Sequence, residues 1–226
     1  MTDSGDAGAS RQASSRKASA SPLGERKPRL VLASGSPQRR AILGDLGLDF
    51  DVRPSDVAEE DEGPPRVVAV ENARRKALAV ARAAGDAADE VVLGCDTLVA
   101  TERDAGTAWD IWGKPADADA ARATLRHLSG RTHEVVSGLV LVERGEVRVA
   151  TEVTRVTFRA LDDATIDWYV SCGEWEGRAG GYAIQGRGAV LLRRIEGDYL
   201  NVVGLPVSAL LELSPRLMAE HAAAAR

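Results

Sequence analysis

The apolar positions of this chain alternate between short runs and stretches of helical spacing, the pattern of an α/β protein. Leu30, Val31 and Leu32 suit a strand buried on both faces. Ile42, Leu43 and Leu46 recur at spacings of three and four and predict a helix over 38–46, closed by Gly47. A short strand follows at 50–52, then the longest helix over 64–84, begun by Pro64-Pro65 and ended by Gly85. Its apolar side comprises Val67, Val68, Ala73, Ala77, Leu78 and Ala81, while Asn72 and Lys76, four apart, share a face. Residues 90–95 form a second buried strand that delivers Asp96 and Thr97 at its C-terminal end. After an irregular segment over 101–112, residues 117–128 are an amphipathic helix with Ala121, Leu125 and Leu128 inward. Alternation from 132 to 161 about a turn at Arg144-Gly145 predicts an antiparallel hairpin, 134–142 with 147–158. A helix over 162–172, a strand over 190–195 and a terminal helix over 205–213 complete the body. The expected fold is a twisted mixed central sheet with flanking helices and a cleft between two lobes, one of residues 30–98 with the C-terminal part, the other of 101–161.

Composition narrows the class. With 226 residues, 44% hydrophobic and 4% aromatic, the chain suits one globular domain with an aliphatic core. The net charge of −5 argues against a nucleic-acid-binding surface over the whole molecule. No run of 18 apolar residues predicts a membrane span. Cys95 and Cys172 form no Cys-x-x-Cys pair, so neither a zinc site nor a disulfide framework is expected, and a cytoplasmic setting fits. Residues 1–28, rich in Ser, Ala and Gly without apolar periodicity, read as a disordered tail lacking the apolar segment of a secretory signal. The folded domain is expected over 29–215, with a frayed end at 216–226.

Several residues carry candidate chemistry. Between the strand at Leu30 and the next helix lie Ser34, Gly35 and Ser36, then Pro37 at the first helical position and Arg39 and Arg40 one turn in. Helix N–H groups and arginines make this an anion site for phosphate, or else an ordinary crossover with solvated arginines. The loop over 54–63 holds Asp56, Glu59, Glu60, Asp61 and Glu62, a solvated face or, near a phosphate site, a holder for a divalent metal. Lys76 is a surface lysine or a cation for the same site. Asp96 lies where ligands gather in α/β sheets, or caps a turn. Lys114 sits between Gly113 and Pro115. In the segment over 179–188, glycines around Gln185 suggest a backbone that meets a ligand closely. No P-loop, no Gly-x-Ser-x-Gly elbow and no histidine metal cluster is present, and His133 reads as a surface residue at a strand start. Cations for phosphates with carboxylates for a metal and a water are what hydrolysis of a nucleotide phosphoanhydride needs.

The motifs in order resemble those of the Maf-type nucleoside triphosphate pyrophosphatases. They are Leu-Ala-Ser-Gly-Ser-Pro at 32–37, Pro-Ser-Asp-Val-x-Glu at 54–59, Glu-Asn-Ala-Arg-x-Lys-Ala at 71–77 and Gly-Cys-Asp-Thr at 94–97. Gly-Lys-Pro at 113–115, Leu-Ser-Gly-Arg-Thr-His-Glu-Val at 128–135, Ile-Gln-Gly-Arg-Gly at 184–188 and Asn-Val-Val-Gly-Leu-Pro at 201–206 follow. The resemblance implies an inosine-triphosphatase-like fold, a homodimer, and hydrolysis of a nucleoside triphosphate to the monophosphate and pyrophosphate with Mg²⁺ or Mn²⁺. It implies Asp96 as the residue that activates water, with Glu59 as metal ligand or second carboxylate. Lys76 and Lys114, with Ser34, Ser36 and Arg39, would neutralise the triphosphate. One branch of the family resembles dTTP/UTP pyrophosphatases and carries arginine, threonine and glutamine at its specificity positions; Thr97 and Gln185 match, and Gln38 stands in place of the arginine. A branch acting on 7-methyl-GTP fits less well. A nucleotide-binding regulator of cell division is the alternative class that the same residues allow.

Overall fold

The computed structural model describes residues 29–85, 89–103 and 108–217. The expectations for the tail over 1–28 and for the last nine residues lie outside them. Fifteen segments follow in chain order. The first half comprises β1 (Arg29–Leu32), α1 (Pro37–Asp45), β2 (Phe50–Val52), α2 (Pro65–Ala84), β3 (Glu90–Glu102), β4 (Trp109–Trp112) and α3 (Ala118–Leu128). The second comprises β5 (Thr132–Glu143), β6 (Glu146–Phe158), α4 (Asp163–Ser171), 3₁₀ turns at Ala179–Gly181 and Gly186–Leu191, β7 (Leu192–Glu196), α5 (Tyr199–Val203) and α6 (Val207–Leu213).

Seven strands form one mixed sheet in the order β2-β1-β3-β5-β6-β7, with β4 also paired to β3. β1 runs parallel to β2 and β3, and β5, β6 and β7 are joined antiparallel. α1, α3 and α4 begin where short polar side chains satisfy the free N–H groups. Ser36 accepts from Arg39 N, Asp117 from Ala120 N, and Asp162 from Thr165 N. No helix among the described residues is long and apolar enough to cross a membrane.

The main departure from the sequence reading is the length of β3. Asp96 and Thr97 do not end a strand; the apolar run continues through Leu98, Val99 and Ala100, and β4 forms within the segment expected to be irregular. β3 changes partners on one edge. Arg29–Leu32 pair with Glu90–Leu93, and Val99–Glu102 pair with Trp109–Trp112. Gly94 to Leu98 lie between the two ladders, so Asp96 still sits just beyond the carboxyl end of β1, with strand on both sides of it.

Two larger apolar cores flank this point. One gathers Leu30, Leu32, Leu43, Leu93, Leu139, Leu141 and Leu210, the other Val99, Leu125, Leu128, Phe158, Ile166, Tyr169 and Leu191. The lobes therefore divide differently from the expected boundaries. The long hairpin β5–β6 runs through both, and α4 joins the second because Ile166, Tyr169 and Val170 are buried there. Val67, expected on the apolar side of α2, is 63% exposed. The buried stripe is instead Val68, Ala69, Asn72, Ala73, Lys76, Ala77 and Val80, which carries two polar residues inward.

Candidate active site

α2 reaches the centre of the sheet because the sheet has no side chain beneath it. A Cβ on Gly94 would lie 2.2 Å from the Ala73 carbonyl oxygen, and one on Gly138 would lie 2.4 Å from that of Ala69. Gly138 is the direct cross-strand neighbour of Asp96. The helix backbone therefore rests on the two glycines, and Asn72 and Lys76 project to either oxygen of Asp96. Lys76 Nζ is 2.6 Å from Asp96 Oδ1, and Asn72 Nδ2 donates to Asp96 Oδ2 at 3.0 Å. Lys76 and Asp96 are 8% and 5% exposed, so their attraction is little screened. The reading of Lys76 as a surface lysine is overturned: its stem fits because its helix neighbours are alanines.

The acidic loop is tied to the same point. Asn72 Oδ1 accepts from Glu60 N at 2.7 Å, and Asn72 Nδ2 donates to Glu60 O at 2.9 Å. Arg75 clasps the Glu60 carboxylate at 2.6 Å. With Glu60 held, the Glu59 side chain, itself 47% exposed, reaches the lysine, its Oε1 2.5 Å from Lys76 Nζ. Asp56, Asp61 and Glu62 stay exposed. Glu59 and Asp96 thus face one ammonium from two elements.

The turn after β1 supplies the adjoining wall. Arg39 is 8% exposed and has neutral acceptors only among the described residues: Ser34 Oγ at 2.8 Å, Thr97 Oγ1 at 3.2 Å and the Gly204 carbonyl oxygen at 2.9 Å. A buried guanidinium without a carboxylate makes a positive wall. Arg40 faces solvent. Thr97 Oγ1 also bonds Ser137 Oγ at 2.8 Å, and Ser36 Oγ donates to Gln38 Oε1 at 2.9 Å. Cys95 is buried beside Asp96, and burial pushes its thiol up, away from a reactive thiolate.

All ten residues singled out in the sequence line one cleft of about 540 Å³: Ser34, Ser36, Gln38, Arg39, Glu59, Lys76, Asp96, Thr97, Lys114 and Gln185. Lys114 and Gln185 are exposed at its rim. Three contributors were missed. Arg178 and Tyr182 also line the cleft. The Glu174 carboxylate accepts from Arg187 N and Gly188 N, both at 3.1 Å, and so holds the turn after Gln185. His133 is a correction. It is 1% exposed, with Nε2 2.8 Å from the Tyr182 hydroxyl and its ring edge-on to Phe158. The glycines of 180–188 serve chain packing, not a ligand: added Cβ atoms would strike Val99, Pro115, Glu174 and Ala183.

The family profile described as Maf-like protein matches residues 29–216. The chain belongs to this family. Among Maf-like relatives, a protein of Pyrococcus furiosus named dTTP/UTP pyrophosphatase is 42% identical over 82% of this chain and 93% of its own length. Proteins of the same name from Deinococcus radiodurans and Anaeromyxobacter dehalogenans are 44% and 46% identical, over 84% and 80% of this chain and 93% and 90% of their own. A crystal structure of a nucleoside-triphosphatase / dITP/XTP pyrophosphatase from Mycobacterium abscessus overlaps 57% of this chain and 74% of its own at 18% identity, with a TM-score of 0.34.

Proposed function

We propose that this protein hydrolyses nucleoside triphosphates of the dTTP and UTP type to the monophosphate and pyrophosphate. The observation that carries the reading is Asp96, a buried carboxylate on the cleft floor with Lys76 and Asn72 on its two oxygens. The shared name of its Maf-like relatives supports the same chemistry.

In this mechanism Asp96 takes a proton from the water that attacks the α-phosphorus. Lys76 holds the carboxylate in place before the attack and offsets the charge that grows on the phosphate during it. Asn72 fixes the rotamer of Asp96, so the accepting oxygen needs no search. Arg39, Ser34 and the N–H groups that open α1 present a positive wall to phosphate oxygens. Glu59 and Asp96 converge on the Lys76 ammonium, and no third His, Cys, Asp or Glu joins them in a cluster among the described residues. Two carboxylates suit a cation that keeps its waters and shares phosphate oxygens, as Mg²⁺ or Mn²⁺ does. These two residues would hold it, and when bound it would supply charge neutralisation for the phosphates. Gln38, Thr97 and Gln185 line the same cleft and are the residues this reading assigns to the base. The Thr97 hydroxyl is already bonded to Ser137, so Thr97 acts through shape and through Arg39. Gln38 favours a second reading, acceptance of a wider set of bases, because its neutral amide offers both a donor and an acceptor.

A nucleotide panel with Mg²⁺ or Mn²⁺, comprising dTTP, UTP, CTP, GTP and 7-methyl-GTP, tests both readings. Pyrophosphate, not orthophosphate, is the expected product, with dTTP and UTP preferred. Asp96→Asn lowers kcat by about 10²- to 10⁴-fold while the protein stays folded. A fully active folded variant, or orthophosphate as the product, would overturn the reading.

A further inference from the structure

The cations of the cleft fall into two kinds. Lys76 is taken up by Glu59 and Asp96, and Arg39 by Ser34, Thr97 and Gly204. Lys114 and Arg178 are different. Neither forms an ion pair among the described residues, and Lys114 has no hydrogen-bonded side-chain partner there. The one bond of the Arg178 side chain runs from Nε to the Glu174 carbonyl oxygen at 2.7 Å, which leaves both terminal nitrogens without a protein acceptor among those residues. Arg178 is nevertheless half-buried in the cleft wall. A guanidinium that is partly withdrawn from water, oriented through Nε and free at its fork is prepared for a bidentate oxyanion.

Its placement says which oxyanion. The Gly180 N–H donates to the Gly113 carbonyl oxygen at 3.0 Å, so the loop of Arg178 and the loop of Lys114 are joined backbone to backbone. Gly180 rests on Val99 and Gly181 on Pro115. Both free cations thus belong to the side of the cleft built by the second core, across from the Asp96, Lys76 and Glu59 cluster. In an in-line displacement the leaving oxygen departs opposite the attacking water. If the water is activated at Asp96, the leaving group emerges toward Lys114 and Arg178.

We propose that Arg178 is a further substrate-binding residue. Together with Lys114 it grips the two phosphates that depart as pyrophosphate. The inference rests on the pyrophosphatase reading above and adds to it the residue that receives the leaving group. The P–O bond to the bridging oxygen breaks, the electron pair stays on pyrophosphate, and Arg178 and Lys114 offset that charge. Glu174 is the support: its main chain orients Arg178 while its carboxylate holds the turn after Gln185.

The test is calorimetric titration of the full-length protein with inorganic pyrophosphate and with thymidine monophosphate in Mg²⁺ buffer, alongside dTTP kinetics. Arg178→Met is expected to weaken pyrophosphate binding and raise the KM for dTTP by about tenfold or more, with thymidine monophosphate affinity unchanged. Arg178→Lys keeps the charge but loses the fork, and is expected to fall between the two; it decides the matter should the methionine variant fail to fold. Unchanged pyrophosphate affinity in a folded variant overturns the proposal. So does equal weakening of pyrophosphate and thymidine monophosphate, or altered base preference with intact pyrophosphate binding, which would assign Arg178 to the nucleoside. A wild-type protein that binds pyrophosphate but releases none from dTTP would sink the hydrolytic reading and leave the anion site standing.

Discussion

At the scale of single residues, buried polar groups in this molecule are handled in two ways. Asp96 is paired directly, with Lys76 on one oxygen and Asn72 on the other. His133 gives its charge up. It lies among Phe158 and Tyr182, its Nδ1 has no hydrogen-bond partner among the described residues, and burial pulls its imidazole down to about 4. Burial likewise pushes the Tyr182 phenol up, so this cleft-lining residue stays neutral. The consequence for stability has a definite sign. In the unfolded chain His133 takes a proton near 6.5, whereas the folded protein resists until about 4. Between those values the unfolded state binds more protons, so stability falls as pH is lowered through the window and stops falling below it. From pH 7.5 to 5 this group removes about 2 kcal/mol. Urea unfolding at the two pH values measures it, and His133→Asn, which keeps a donor for Tyr182, should flatten the difference by that amount. Equal pH dependence in variant and wild type would show that His133 is not the group responsible.

At the scale of elements, the site depends on how closely α2 lies on the sheet. Adding one methyl at Gly138 requires the Ala69 carbonyl to move, because the new Cβ would lie 2.4 Å from it. Overpacking of this kind costs about 1–3 kcal/mol, and the shift is passed along a rigid helix to Asn72 and Lys76. Gly138→Ala is therefore expected to lower kcat more than tenfold at a temperature where the protein remains folded. Leu139→Val, on the next residue of β5, should cost stability with little change in kcat. Similar loss of activity in both would mean general loosening, not misplacement of Lys76. The same element shows where the sequence was legible. Apolar spacing with short polar starts is a local signal, and it placed α1, α3 and α4 within a residue or two, whereas the inner face of α2 came out rotated because its buried stripe carries Asn72 and Lys76. The ten site residues could be gathered because each sits in a motif or directly after one. The buried role of His133 and the contributions of Glu174 and Arg178 depend on contacts between residues far apart in the chain, as with His133 and Tyr182, 49 positions apart. The run through Asp96 hid the continuation of β3 for a similar reason: a charged residue looks like a strand end until its partners on another helix are known.

At the scale of the whole molecule, the cleft lies between two cores that share the sheet. Ser34, Arg39, Lys76 and Asp96 come from one side, Lys114, Arg178 and Tyr182 from the other. A triphosphate held by both sides would join them, and its binding energy would appear as folding stability. At a concentration 100 times its dissociation constant a ligand adds about 2.7 kcal/mol, which in a protein of this size raises the unfolding midpoint by about 5–10 °C. The Asp96→Asn variant, impaired in turnover, allows dTTP itself to serve as the probe. Thymidine monophosphate, without the two terminal phosphates, should shift the midpoint less than dTTP at matched concentration. The molecule as a whole carries a net charge of −5, so long-range attraction of an anionic nucleotide is weak and the local cations must do the binding. The dTTP shift should therefore shrink as salt rises from 50 to about 300 mM, since the exposed Lys114 and the half-buried Arg178 are screened more than the buried Lys76. A shift equal for mono- and triphosphate would mean that the ligand sits on one side of the cleft and that the cores are not joined by it. A dTTP shift indifferent to salt would remove Lys114 and Arg178 from the binding of the triphosphate.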